Sequence, residues 1–85
     1  MKVLIPSALR SYTGSMWAEA DGDSLGALLH DLDRRHPGLR FRMVDEQDRL
    51  RPHMRVFVNG RAVRELAQAS APADEVAIVQ ALSGG

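Results

Sequence analysis

Ser24-Leu25-Gly26-Ala27-Leu28-Leu29-His30-Asp31-Leu32, with His36-Pro37-Gly38 four residues further on, reads as one amphipathic helix with both ends marked. Leu25, Leu28, Leu29 and Leu32 stand at i, i+3, i+4 and i+7, a spacing that gathers them on one face of a 3.6-residue helix. Asp23-Ser24 offers an N-cap, whose side-chain oxygen accepts one of the unpaired amides of the first turn. At the other end Pro37 cannot continue the hydrogen-bond ladder, and Gly38 permits a left-handed exit.

A leucine stripe needs a surface to cover, and the flanking segments read as strands. Lys2-Val3-Leu4-Ile5 is a β-branched-rich run closed by Pro6, and Met16-Trp17-Ala18-Glu19-Ala20 lies between the turn signals Gly14 and Asp21-Gly22-Asp23. Beyond the helix, Met54-Arg55-Val56-Phe57-Val58 reads as a strand, and Asn59-Gly60 favours a tight hairpin turn. Residues 61–66 would pair weakly after that turn, residues 68–73 form a loop, and the run 75–82 supplies a terminal strand. Leu39-Arg40-Phe41-Arg42-Met43-Val44 allows two readings, a short strand or a helical turn. It leads into Asp45-Glu46-Gln47-Asp48, a solvated loop by composition. The order strand, strand, helix, strand, short strand, strand places the helix across one face of a single mixed sheet. The expected class is α+β, a mixed four- to five-stranded sheet packed on one main helix.

With 85 residues the chain fits one domain with a single modest core. Eleven Lys and Arg balance eleven Asp and Glu, so the basic surplus usual in nucleic-acid binders is missing, and no nucleic-acid partner is expected. The absence of cysteine removes disulfides, thiolate catalysis and cysteine-based metal sites together. No apolar run approaches the roughly 20 residues of a membrane span, and Pro6 interrupts the N-terminal run too early for a signal peptide. The expectation is a cytoplasmic protein without a membrane partner.

The sequence closes on Leu82-Ser83-Gly84-Gly85. Glycines without side chains let backbone lie flat in a narrow groove, and a tail over 81–85 reaches roughly 17 Å when extended, enough to enter a partner's catalytic cleft. The expected organisation is therefore a folded domain over 1–80 and a flexible tail over 81–85. The terminal carboxylate becomes the reactive group.

Across nearly its whole length the chain resembles the MoaD/ThiS sulfur-carrier family of ubiquitin-like β-grasp proteins. The residues carrying the likeness are Ile5-Pro6, Leu9-Arg10 and Thr13-Gly14, then Gly22-Asp23-Ser24-Leu25-Gly26, His36-Pro37-Gly38-Leu39, Val56-Phe57-Val58-Asn59-Gly60, Asp74-Glu75-Val76 and Gly84-Gly85. The opening Pro6-Ser7-Ala8-Leu9-Arg10 with Thr13-Gly14 looks most like the CysO-type carriers of cysteine synthesis. Gln80 and Ala73 depart from the proline and glycine common at those places in the family. The resemblance implies a β-grasp fold and a terminal Gly85 that is adenylated and then thiocarboxylated, with Gly84, Ser83 and Leu82 as its tail. It implies no bound cofactor, ATP being used by a ubiquitin-activating-like adenylyltransferase. The second partner is a sulfur-accepting enzyme, either a cysteine synthase or the large subunit of molybdopterin synthase. Catalytic groups belong to those partners, so the chain is a cosubstrate and not an enzyme. A third reading is a ubiquitin-like modifier joined through Gly85 to target lysines.

Strand parity supplies a candidate partner surface. With Val56 and Val58 facing the helix, Arg55, Phe57 and Asn59 face outward; the same alternation turns Val79 and Trp17 outward, with Val76, Ile78, Ala18 and Ala20 inside. Trp17, Phe57 and Val79, with Leu82, then form an apolar patch leading to the tail. The reverse parity would put Trp17 in the core. His30, His36 and His53 lack metal-ligand spacing, and no serine sits in a nucleophile elbow. Asp45, Glu46 and Asp48 lack a calcium-loop pattern. Arg34-Arg35 and Arg40-Arg42 read as solvated faces.

Overall fold

The computed structural model describes residues 1–81; the tail residues Leu82, Ser83, Gly84 and Gly85 lie outside the described residues. The elements run β1 (Lys2–Leu4), a 3-10 turn (Ser7–Leu9) continuing into α1 (Arg10–Thr13), β2 (Trp17–Glu19), α2 (Leu25–Arg35), α3 (Leu39–Met43), β3 (Met54–Val58), β4 (Arg61–Val63) and β5 (Val76–Gln80). The strands form one mixed sheet in the order β2-β1-β5-β3-β4. β1 and β5 run parallel at its centre, and every other pairing is antiparallel. This is the β-grasp arrangement, with the first and last strands side by side and the hairpins spreading to either edge.

The helix stands as its pattern dictates. Leu25, Leu28, Leu29 and Leu32 are all buried to 1% exposure or less. They pack on Val3, Ala18, Ala20, Met54, Val56, Val76 and Ile78, the inward residues of the strands and their flanks. The Ser24 Oγ accepts from the Ala27 amide at 3.1 Å, one of the orphan donors of the first turn. Two more are taken by the loop after β4, where the carbonyls of Gln68 and Leu66 accept from Leu25 and Gly26 at 2.8 Å each. That crossing explains why residues 66–70 hold their place without regular structure.

Gly22 permits the entry to α2. A Cβ there would fall 2.7 Å from the Ala27 carbonyl carbon, inside the helix backbone. The Asn59-Gly60 turn has φ of +52° and +82°, both central residues in the left-handed region that the tightest hairpins require. Asn59 also ties the turn to the approach of β5. Its amide nitrogen Nδ2 donates to the Asp74 carboxylate, and its Oδ1 accepts from the Glu75 amide, each at 2.9 Å.

Three local readings change. Residues 7–13 form a helical turn that the sequence reading left without structure; Pro6 precedes it in an extended conformation, Gly14 closes it, and Leu9 is its buried anchor. Of residues 39–44, Leu39–Met43 resolve as helix and Val44 is extended, because Leu39 and Met43, four apart, both reach the core while Phe41 turns to solvent. The return after the Asn59-Gly60 turn is paired only over Arg61–Val63, and the last strand spans Val76–Gln80, starting one residue after Glu75.

Candidate functional site: the outer sheet face and the root of the tail

The helices cover one face of the sheet, so the other is open for a partner. Register places Leu4 opposite Trp17 and beside Ala77, with Ala77 opposite Phe57 and Phe57 opposite Ala62. These five outward residues form one row across all five strands. Val79 lies two residues further along β5, opposite Arg55 and toward the start of the tail. Trp17 is 40% exposed and Val79 42%, while Phe57 is half-buried. Trp17 therefore stands outside the core. Leu4 is the large apolar member of the row that the sequence reading did not name; the inward pair Val3 and Ile5 around it is the signal that would have found it.

Charge frames this surface on one side. The Lys2 Nζ sits 5.1 Å from the centroid of the Trp17 ring, a cation–π arrangement, and Lys2 faces Glu19 across the β1–β2 pair. Next to it the Met1 ammonium contacts the Glu19 and Asp21 carboxylates at 3.2 Å each. These hydrogen bonds, Glu19 first, hold the amine above its ordinary pKa. The indole is thus an apolar platform at a polar edge, the composition of an interface anchor.

At the far end of β5 the Ala81 amide donates to the His53 carbonyl at 2.7 Å, extending the β3–β5 ladder and fixing the direction in which the chain leaves the sheet. A cleft opens beside this exit, lined by Leu4, Pro6, Arg10, His53, Val79 and Ala81 among others. The sites named from sequence thus divide. Trp17, Phe57 and Val79 share one sheet face near the root of the tail, whereas Gly85, Gly84, Ser83 and Leu82 lie outside the described residues.

The remaining candidate groups are structural. Asp31 accepts from the Asp21 amide and from Arg34 and Arg35 three and four residues on, and these bonds, the Asp21 amide foremost, hold its carboxyl below the usual range. Asp45 accepts from the Arg49 and Gln47 amides in the loop after α3, and its carboxyl is likewise lowered, chiefly by Arg49. Arg40 pairs with Asp48 at 3.0 Å. Among the described residues no three acidic or histidine side chains come together in a geometry for a metal ion, and no helix is long and apolar enough to cross a membrane.

Comparison with known proteins agrees with this architecture. The chain is 37% identical to the sulfur carrier protein CysO of Mycobacterium tuberculosis, over 98% of this chain and 96% of that protein. It is also 37% identical to the small archaeal modifier protein 1 of Haloferax volcanii, over 79% of this chain and 77% of that one. A chain in the crystal structure of the Amycolatopsis orientalis BexX/CysO complex superposes with a TM-score of 0.91 at 32% identity, covering 99% of this chain and 98% of its own length. The ThiS family matches residues 3–85. A match running the length of the fold, on a sheet of this topology, shows that the chain belongs to the ThiS family of ubiquitin-like proteins.

Proposed function

We propose that this protein is a sulfur carrier whose Gly85 carboxyl is the working group. A carboxylate is a poor electrophile. An adenylating partner joins it to ATP, releasing pyrophosphate and leaving an acyl-adenylate. Sulfide then displaces AMP and leaves a thiocarboxylate, which a second enzyme consumes as its sulfur source. The chain contributes the tail and the surface that presents it, while the partners contribute the catalytic groups. Gly84 gives the tail the slender backbone a deep cleft requires, and the row from Trp17 to Phe57, with Val79, is the surface on which the adenylating partner seats.

The observation that carries this reading is the near full-length likeness to sulfur carrier protein CysO, which favours cysteine synthesis as the destination of the sulfur. The test is ATP–pyrophosphate exchange with the organism's adenylyltransferase. Exchange is expected with the full chain and none with Gly85 deleted; exchange that survives the deletion would remove Gly85 from the mechanism.

The likeness to small archaeal modifier protein 1 favours a second reading, in which the activated Gly85 acylates lysines of other proteins. Appearance of isopeptide-linked Gly85 on other proteins, with no thiocarboxylate formed, would select it.

A further inference from the structure

Ion pairing in this neutral chain is one-sided. Among the described residues, the side-chain cations in salt bridges are Arg34, Arg35 and Arg40, answered by Asp21, Asp31 and Asp48 on and around α2 and α3. Three arginines near the root of the tail are held differently. The Arg10 Nε donates to the Ile5 carbonyl at 2.9 Å, the Arg42 Nε to the Tyr12 hydroxyl at 2.8 Å, and the Arg51 Nε to the Phe41 carbonyl at 2.9 Å. Each guanidinium is thus fixed through Nε to a neutral acceptor, and its Nη groups meet no carboxylate among the described residues. An anchored fork has already lost part of the rotamer freedom that binding would otherwise remove.

These arginines wall a continuous groove. The cleft beside the β5 exit holds Arg10, and it adjoins a second cleft holding Tyr12, Phe41, Arg42 and Arg51; Ala8, His53 and Gln80 line both. The walls are aromatic as well as basic. Phe41 is 61% exposed, the most exposed large apolar side chain of the described residues, and the Arg51 guanidinium stacks 4.9 Å from its centroid. Arg42 lies 6.0 Å from the Tyr12 ring. Among the described residues Glu46 is the one carboxylate on the lining.

We propose that this groove is a second docking surface, which takes an acidic segment of the sulfur-accepting enzyme. Guanidinium forks grip carboxylates in bidentate fashion, and the exposed Phe41 ring gives an apolar side chain between the acids a place to rest. At its Arg10 end the groove meets the outer sheet face, where Leu4 and Val79 share the lining, whereas the end walled by Tyr12, Phe41, Arg42 and Arg51 has no residue of the outer row on it. One tail can then serve two enzymes in turn, the adenylating partner recognised by the apolar sheet face and the acceptor by the basic groove. This partner assignment rests on the sulfur-carrier reading; the chemistry of the groove does not.

The experiment has two arms. In the first, isotope-labelled protein is titrated in low salt with a blocked hexapeptide of Asp and Glu containing one Trp, and amide resonances are followed by NMR. Shifts are expected at Tyr12, Phe41, Arg42, Arg51 and His53, shrinking as salt is raised. They should vanish in Arg42→Glu/Arg51→Glu and weaken in the milder Arg42→Gln/Arg51→Gln, both with native spectral dispersion. Shifts confined to the sheet face, no shifts, or the same shifts from inorganic pyrophosphate but none from the peptide would each overturn the proposal. In the second arm, thiocarboxylated protein is presented to the acceptor enzyme. The charge-reversed pair should raise the KM for the carrier about tenfold or more relative to the KM shown by the adenylating enzyme. Equal changes in the two would refute separate surfaces. Absence of any adenylation would instead refute the sulfur-carrier reading, and the peptide titration would still decide the groove.

Discussion

Leu29→Ala and Phe57→Ala separate the covered face of the sheet from the open one. Leu29 is fully buried between α2 and the sheet, so truncation loses its transfer free energy and leaves a cavity, together about 3–5 kcal/mol. Stability of about 0.05–0.15 kcal/mol per residue gives a domain of this length roughly 4–13 kcal/mol in all, so the substitution removes a large part of it. With an unfolding entropy of about 2.1 cal/mol/K per residue, a loss of about 3 kcal/mol lowers Tm by roughly 17 °C. Phe57 is partly buried on the outer row, where truncation removes most but not all of the value of a fully buried phenylalanine, about 1–2 kcal/mol, or roughly 6–11 °C. As an interface anchor the same change weakens the adenylating partner by about 1–2 kcal/mol, roughly 5- to 30-fold in Kd. Calorimetry and a titration with the adenylyltransferase read the two quantities. If Phe57→Ala melts as low as Leu29→Ala and binds its partner unchanged, the assignment of faces is wrong.

Other substitutions test the frame around that face. Gly22→Ala drives a Cβ into the backbone of α2 at Ala27 and Leu28, so it should lower Tm well beyond an ordinary surface change, with calorimetry as the measure. Asp31 has its folded pKa below the unfolded one, so the stability it contributes is present above the ordinary carboxylate range and is lost as pH falls through the lowered value. Urea midpoints should fall toward acid pH, and less steeply in Asp31→Asn; an unchanged acid limb would contradict the linkage. For the destination of the sulfur, thiocarboxylated protein mixed with the organism's cysteine synthase and an activated serine should yield a carrier–cysteine adduct by mass spectrometry. Sulfur loss to a pterin substrate without that adduct would point to molybdopterin synthesis.

The helix was legible because its signals are local: four leucines at fixed spacing, Ser24 before them and Pro37-Gly38 after. Alternation named Trp17, Phe57 and Val79 as outward but left the reverse parity open for Trp17; the burial of Ala18 beside it decides in favour of the outward position. Residues 7–13 were not, because a single buried leucine carries no periodicity and Pro6 reads equally as the end of a strand. Residues 39–43 fit both periods, and only the core decided between them by receiving Leu39 and Met43 together. The groove was least visible of all. Arg42 finds its acceptor on Tyr12, thirty residues away, and Arg10 and Arg51 find theirs on backbone carbonyls, which no side-chain pattern announces.

The central claim is that Gly85 carries sulfur, and intact mass reads it directly. After incubation with the adenylyltransferase, ATP and a sulfur donor, the full chain should gain about 16 Da, one oxygen replaced by sulfur at an activated acyl group. Omitting ATP or deleting Gly85 should abolish the gain while the melting profile stays that of the intact domain. A chain without Gly85 that still takes up sulfur, or a full chain that is adenylated yet never gains it, would contradict the account.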